Sequence, residues 1–149
     1  MKKKTNYHKW REDYCYIVIS LMDNPIEDGY NHPAENLMYK ALTSDNESFL
    51  AWIEHIIKDS KDKSFVASIV KCFGRAIEEN ALLCEYQPVI DILKLALQDL
   101  DPEVREAAVD AIDMCETKQA IDLLRNHEEK ELWLKSYINE IIKDYDEPL

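Results

Sequence analysis

Asp99-Leu100-Asp101-Pro102-Glu103-Val104-Arg105-Glu106-Ala107-Ala108-Val109-Asp110-Ala111-Ile112 contains a tight turn and the opening of a helix. Before it, Val89, Ile92, Leu93, Leu95 and Ala96 recur at helical spacing, with Pro88 near the start of that helix. Pro102 suits the first turn of the helix that follows: its φ is already helical, and the N–H it lacks would have had no partner there. Val104 then anchors the core, and Ala107, Ala108 and Ala111 form a seam of small side chains that allows close helix contact. The stretch reads as the turn and second arm of a helical hairpin, with the second arm over 102–115.

On either side of this hairpin the chain stays helical. With 2 Gly and 5 Pro in 149 residues it has too few turn formers for a sheet protein, so the class is all-α. A chain of this length buries roughly two-thirds of its unfolded surface and needs neither disulfide nor metal, so one domain over 1–149 is expected. Thr5 can cap a first helix carrying Trp10, Tyr14, Ile17, Val18 and Leu21, which Asp23-Asn24-Pro25 stops and which is expected to close the end of the stack. After a loop from Gly29, Pro33 opens a short helix with Leu37, Met38, Ala41 and Leu42. Ser44-x-x-Glu47 reads as a capping box for a helix running to about Asp59. A helix from about Asp62 to Asn80 follows, in which Gly74 allows a neighbouring backbone to approach. A turn is expected over 81–85, and helices over 118–125 and 129–145.

The helices repeat. Phe65, Ser68, Ile69, Cys72 and Phe73 fall on Val104, Ala107, Ala108, Ala111 and Ile112 at a constant offset of 39, and a shift of 30 carries these to Leu134, Tyr137, Ile138, Ile141 and Ile142. Three second helices thus share one register. Periodicity of this kind also fits a bundle, so motif chemistry has to separate the two.

Asp99, Pro102, Val104, Arg105 and the alanine seam together resemble the turn of a HEAT repeat. In that family an Asp and an Arg six residues later form a hydrogen-bonded ladder, and Asp99 and Arg105 have this spacing. The resemblance implies a short right-handed α-α solenoid of helical hairpins with an N-terminal capping helix, its second helices lining the concave side. The unit over 46–80 departs from the pattern, with Ser60 and Val66 at the ladder positions, and the final unit lacks the motif.

The net charge of −12 is uneven: zero over 1–40, −4 over 41–99 and −8 over 100–149. Such a field repels phosphate backbones and attracts basic partners, which argues against nucleic acid. Cys15, Cys72, Cys84 and Cys115 lack C-x-x-C spacing, and Cys15 and Cys72 lie among apolar residues, as packed reduced thiols do. A cytoplasmic setting is expected, and the apolar run from Tyr14 to Met22 is too short to span a membrane.

Glu103, Glu106, Asp110 and Asp113, spaced by three, four and three, place four carboxylates on one helix stripe. Like charges at these spacings repel, so the stripe is either a solvated face or a binding surface. Trp10, Trp52 and Trp133 lie on or beside apolar stripes and are expected in the core unless partly exposed. His8, His32, His55 and His127 lie on different elements without metal-ligand spacing, and no cofactor is expected. The single pair His127-Glu128 falls short of the several His-Glu pairs that hold iron in the HEAT-like deoxyhypusine hydroxylases. No phosphate loop or nucleophile elbow is present, so the chain is not expected to be an enzyme.

The resulting expectation is a protein-binding module whose acidic stripe takes a basic protein. It resembles small immunity-type HEAT proteins, which neutralise cationic toxin or nuclease domains. The alternatives are an accessory or lyase-like subunit holding a small ligand between helices, and an oligomerisation module.

Overall fold

The computed structural model describes residues 14–24, 26 and 32–147. The cap at Thr5, Trp10, His8 and the loop at Gly29 lie outside the described residues. Among the described residues every regular element is a helix: α1 Cys15–Asp23, α2 Pro33–Ser44, α3 Asn46–Asp59, α4 Lys63–Glu78, α5 Ala81–Glu85, α6 Gln87–Leu97, α7 Pro102–Cys115, α8 Lys118–Arg125 and α9 Leu132–Asp146.

Consecutive helices pair as the hairpins α1/α2, α3/α4, α6/α7 and α8/α9, and each hairpin stacks on the next. The first arms α3, α6 and α8 form one layer; the second arms α2, α4, α7 and α9 form the other. This is an α-solenoid. At its N-terminal end α1 packs on α2, while Tyr14 just before it lies 5.5 Å from Phe49 and 5.2 Å from Trp52 between ring centroids. At the other end the outward positions of α9, including Lys135, Ser136, Asn139 and Glu140, are exposed and polar.

The shared register faces inward, fully buried in α7 and partly so in α4, where Phe65 and Ser68 are half-buried. Val104, Ala107, Ala108, Ala111 and Ile112 are all in the core, because α7 has neighbours on both sides; in α9 the equivalents Tyr137 and Ile142 are half-buried. Gly74 of α4 meets α7 so closely that an added Cβ would lie 2.6 Å from the Ala111 Cβ and 2.9 Å from its Cα. Glycine is needed there for space rather than for conformation.

Three local expectations change. Ser44 does not open α3: its hydroxyl bonds the Lys40 carbonyl as α2 ends, and Asp45 caps α3 by accepting from the Ser48 N–H. An Asp carboxylate one residue nearer the helix outcompetes the Ser hydroxyl for the free N–H groups. Residues 81–85 form the short helix α5 instead of a turn, because Asn80 accepts from Leu82 N–H at 3.0 Å and caps it. The last helix starts at Leu132, since residues 126–131 are held in a turn by the interactions of Glu129.

Of the cysteines, Cys72 is fully buried, and desolvation pushes its thiol up to about 12. Cys15 is exposed, contrary to the packed position its apolar neighbours suggest, because α1 turns Ile17 inward and Cys15 outward.

Candidate functional site

The turn that identified the hairpin has an unexpected wiring. Asp99 does not pair its carboxylate with Arg105: one oxygen accepts from the Asp101 N–H at 2.9 Å, tightening the turn, and the other accepts from Lys63 of α4 at 3.0 Å. Arg105 donates instead to the backbone carbonyls of Asp99 and Leu100, each at 2.9 Å. Its remaining N–H groups reach the next hairpin and grip Glu129 bidentately, again at 2.9 Å. The result is a ladder in which each rung crosses between hairpins, Lys63 to Asp99 and Arg105 to Glu129.

Sequence reasoning missed Glu129, although the signal was present: the shift of 30 that aligns α7 with α9 carries Asp99 onto Glu129. The final unit therefore keeps the acidic rung position with Glu in place of Asp. In the unit over 46–80, Lys63 supplies the cation that Val66 cannot.

Glu129 has almost no exposed side-chain surface. Burial alone would raise its pKa, but hydrogen bonds from Arg105, from the His127 ring and from the Glu131 N–H outweigh that and bring it down to about 2. The same bidentate bond raises Arg105, against the cost of its own desolvation.

The four stripe carboxylates lie on the second-arm layer, where α7 is flanked by α4 and α9. Glu103 accepts from the Ser64 hydroxyl of α4 at 3.2 Å, and Asp110 accepts from the Tyr137 hydroxyl of α9 at 2.5 Å. Between α4 and α7 lies an open recess of about 170 Å³, lined by Ser68, Lys71, Glu103, Glu106 and Asp110 with Ile26 at its edge. A second recess of about 340 Å³ is lined by Asp113 of α7 and by Glu116 just after it, together with Ile121, Ile141, Asp144 and Tyr145.

The carboxylates crowd one another. Glu106 is raised above the usual range by partial burial and by Asp110 and Glu103, with Lys71 pulling the other way. Asp113 is raised by partial burial and by Glu116, Asp110 and Asp144. Burial and the bond to Asp110 likewise raise Tyr137. Ionisation here costs free energy that a bound cation would return.

Trp133, half exposed at the start of α9, does not share the buried fate of Trp52. On the repeat register it is the counterpart of Glu103, so it stands at the rim of the second-arm layer. Leu132 beside it and Leu100 in the preceding turn are also exposed. The described histidines are engaged structurally. His32 caps α2, accepting from Ala34 N–H at 3.0 Å, while His55 faces Asp59 at 2.7 Å and His127 bonds Glu129 at 3.0 Å. Among the described residues no helix is long and apolar enough to cross a membrane.

Residues 71–112, from the middle of α4 through most of α7, match the family model described as HEAT repeat associated with sister chromatid cohesion. Over those residues the chain is similar to a HEAT repeat. The matched segment holds the Asp99 turn, Arg105 and the alanine seam, the features on which the sequence resemblance rests. Comparison with curated proteins and with solved structures gave no match. A HEAT unit indicates a protein-interaction module, and HEAT-type helical folds are typically non-catalytic.

Proposed function

We propose that this chain, as one helical-repeat domain over 1–149, binds a basic protein on its second-arm layer and acts by occluding it. The observation that carries the reading is the crowding of Glu103, Glu106, Asp110 and Asp113 on one helix between α4 and α9, with two of the four held above their ordinary range. Such a face gains from a cationic partner, both by relief of repulsion and by faster encounter. Trp133 at the rim supplies an aromatic anchor of the kind that dominates interface energies. Within this class the immunity-type role fits best: neutralising a cationic toxin or nuclease domain needs acidic complementarity and no catalytic group.

The experiment is a pull-down from the native host followed by binding kinetics with the partner recovered. A basic partner is expected, and the E103Q/E106Q/D110N/D113N variant, with an unchanged helical melt, should associate about 10-fold more slowly at low salt. High salt should slow the wild type to the same rate. Equal association rates for the two proteins, or recovery of an acidic partner, would overturn the reading.

A further inference from the structure

Apolar side chains scattered singly over a surface are ordinary, whereas a group of them held together marks an interaction site. Leu100, in the turn between α6 and α7, is 96% exposed, and Leu132 and Trp133, at the start of α9, are 80% and 50% exposed. The repeat register sets these three apart. Leu100 falls on Lys61 of the preceding unit and on Lys130 of the last. Leu132 falls on Lys63 and Pro102, and Trp133 on Ser64 and Glu103. At each of these positions the other units carry a polar side chain or a proline.

The Arg105 clamp brings the three to one edge of the stack. Its guanidinium donates to the Leu100 carbonyl at 2.9 Å and to the Glu129 carboxylate at 2.9 Å. Glu129 accepts in turn from the Glu131 N–H at 3.0 Å, one residue before Leu132. Two turns from successive hairpins are thus fixed side by side, and their exposed side chains are preorganised before any partner arrives.

We infer that Leu100, Leu132 and Trp133 form an apolar docking patch on the turn edge of the last two hairpins, and that a basic amphipathic segment of the partner protein occupies it; this deepens the reading above and rests on it. The charges nearby select that occupant. Asp101 and Glu103 in one turn, with Glu128 and Glu131 in the other, outnumber Lys130 and Lys135, while Arg105 is neutralised by Glu129. An apolar side chain carried between lysines or arginines suits both features, the leucine and tryptophan surfaces and the carboxylates around them. A second copy of this chain suits neither. It brings a net charge of −12, and three side chains offer far less than the roughly 800 Å² per partner of a stable dimer. Patch and stripe then act on different rates: the carboxylates speed encounter, and the apolar anchors slow departure.

The test titrates three synthetic peptides of equal length into the isotopically labelled full chain and follows its amide and indole N–H resonances. One peptide is built of Leu and Lys, one of Ser and Lys, and one of Leu and Glu. The Leu/Lys peptide is expected to shift Leu100, Leu132 and the Trp133 indole, and to bind about 10-fold more tightly than the Ser/Lys peptide. The Leu/Glu peptide should leave those resonances in place. The double variant L132S/W133A, altered where the surface is exposed, should keep its melt and lose about 10-fold in affinity for the Leu/Lys peptide through faster dissociation. Shifts confined to the stripe would overturn the patch and leave the acidic stripe standing. Patch shifts that persist undiminished in E106Q/D110N/D113N, which keeps the nearby Glu103, would support the patch and remove the stripe. Equal binding of the Leu/Glu peptide, no patch shift with any peptide, or a dimer in sedimentation that Leu132→Ser dissolves would each overturn the inference.

Discussion

The junction between α4 and α7 and the junction between α7 and α9 use the same register but hold together differently. At the first, Gly74 and Ala111 let two backbones approach closely, and the rung at that junction is a single bond from the partly exposed Lys63 to Asp99. At the second, the helices share far less contact and Tyr137 meets Asp110 through a hydroxyl, while the rung is the bidentate, buried Arg105–Glu129 pair. Tight apolar packing and a strong charge clamp thus substitute for one another along the stack. The acidic stripe borders both junctions: Glu103, Glu106 and Asp110 line the recess between α4 and α7, and Asp113 lines the one beside α9.

This contrast can be broken most severely at the clamp. Arg105→Ala leaves the Glu129 carboxylate buried without its main partner and should cost about 4 kcal/mol in urea unfolding. Lysine at 105, which cannot grip bidentately, should recover only part of that. At the other junction Gly74→Val forces α4 and α7 apart and should cost about 3 kcal/mol, with the loss read as a lower urea midpoint. A melt unchanged in G74V would show that the seam is not close-packed.

Acid should distinguish the junctions without mutation. Glu129 lies at about 2 in the fold against an ordinary 4.5, so its ionised form stabilises the protein. That contribution, about 3 kcal/mol by linkage, is complete above pH 4.5 and disappears as pH falls through 2. Glu129→Gln should flatten the stability profile over that interval. Tyr137→Phe is a smaller insult: it removes one hydroxyl bond to a partly exposed carboxylate and should cost about 1 kcal/mol.

The smallest effect has the opposite sign. The Glu106 carboxyl is raised in the fold, so its contribution to stability is present only at low pH and turns unfavourable as pH rises through its folded value. Glu106→Gln should therefore stabilise the free protein by about 0.5 kcal/mol at neutral pH and low salt, while weakening any interaction with a basic partner. A gain in both stability and binding would separate the stripe from function.

The hairpin around Asp99 was legible because its signals are local. Pro102 presets φ, the alanine spacing follows from 3.6 residues per turn, and the boundaries of α7 and α8 agree with the expected 102–115 and 118–125. The acidic stripe was legible for the same reason, since spacing along one helix settles which side chains share a face. The site's neighbours were not. Ser64, Lys71 and Tyr137 come from other helices, and nothing in the local pattern says which of their faces meets α7.

Sequence by itself determined the helices, their repeat and the side on which each carries its apolar residues, because these depend on backbone propensity and periodicity within a few turns. Tertiary structure alone decided that Arg105 clamps the carboxylate of Glu129 rather than that of Asp99, and that Trp133 is exposed while Trp52 is buried. Each of those outcomes depends on the distance and rotation between helices. That geometry is the joint result of many packed side chains, and no single stretch of the chain encodes it.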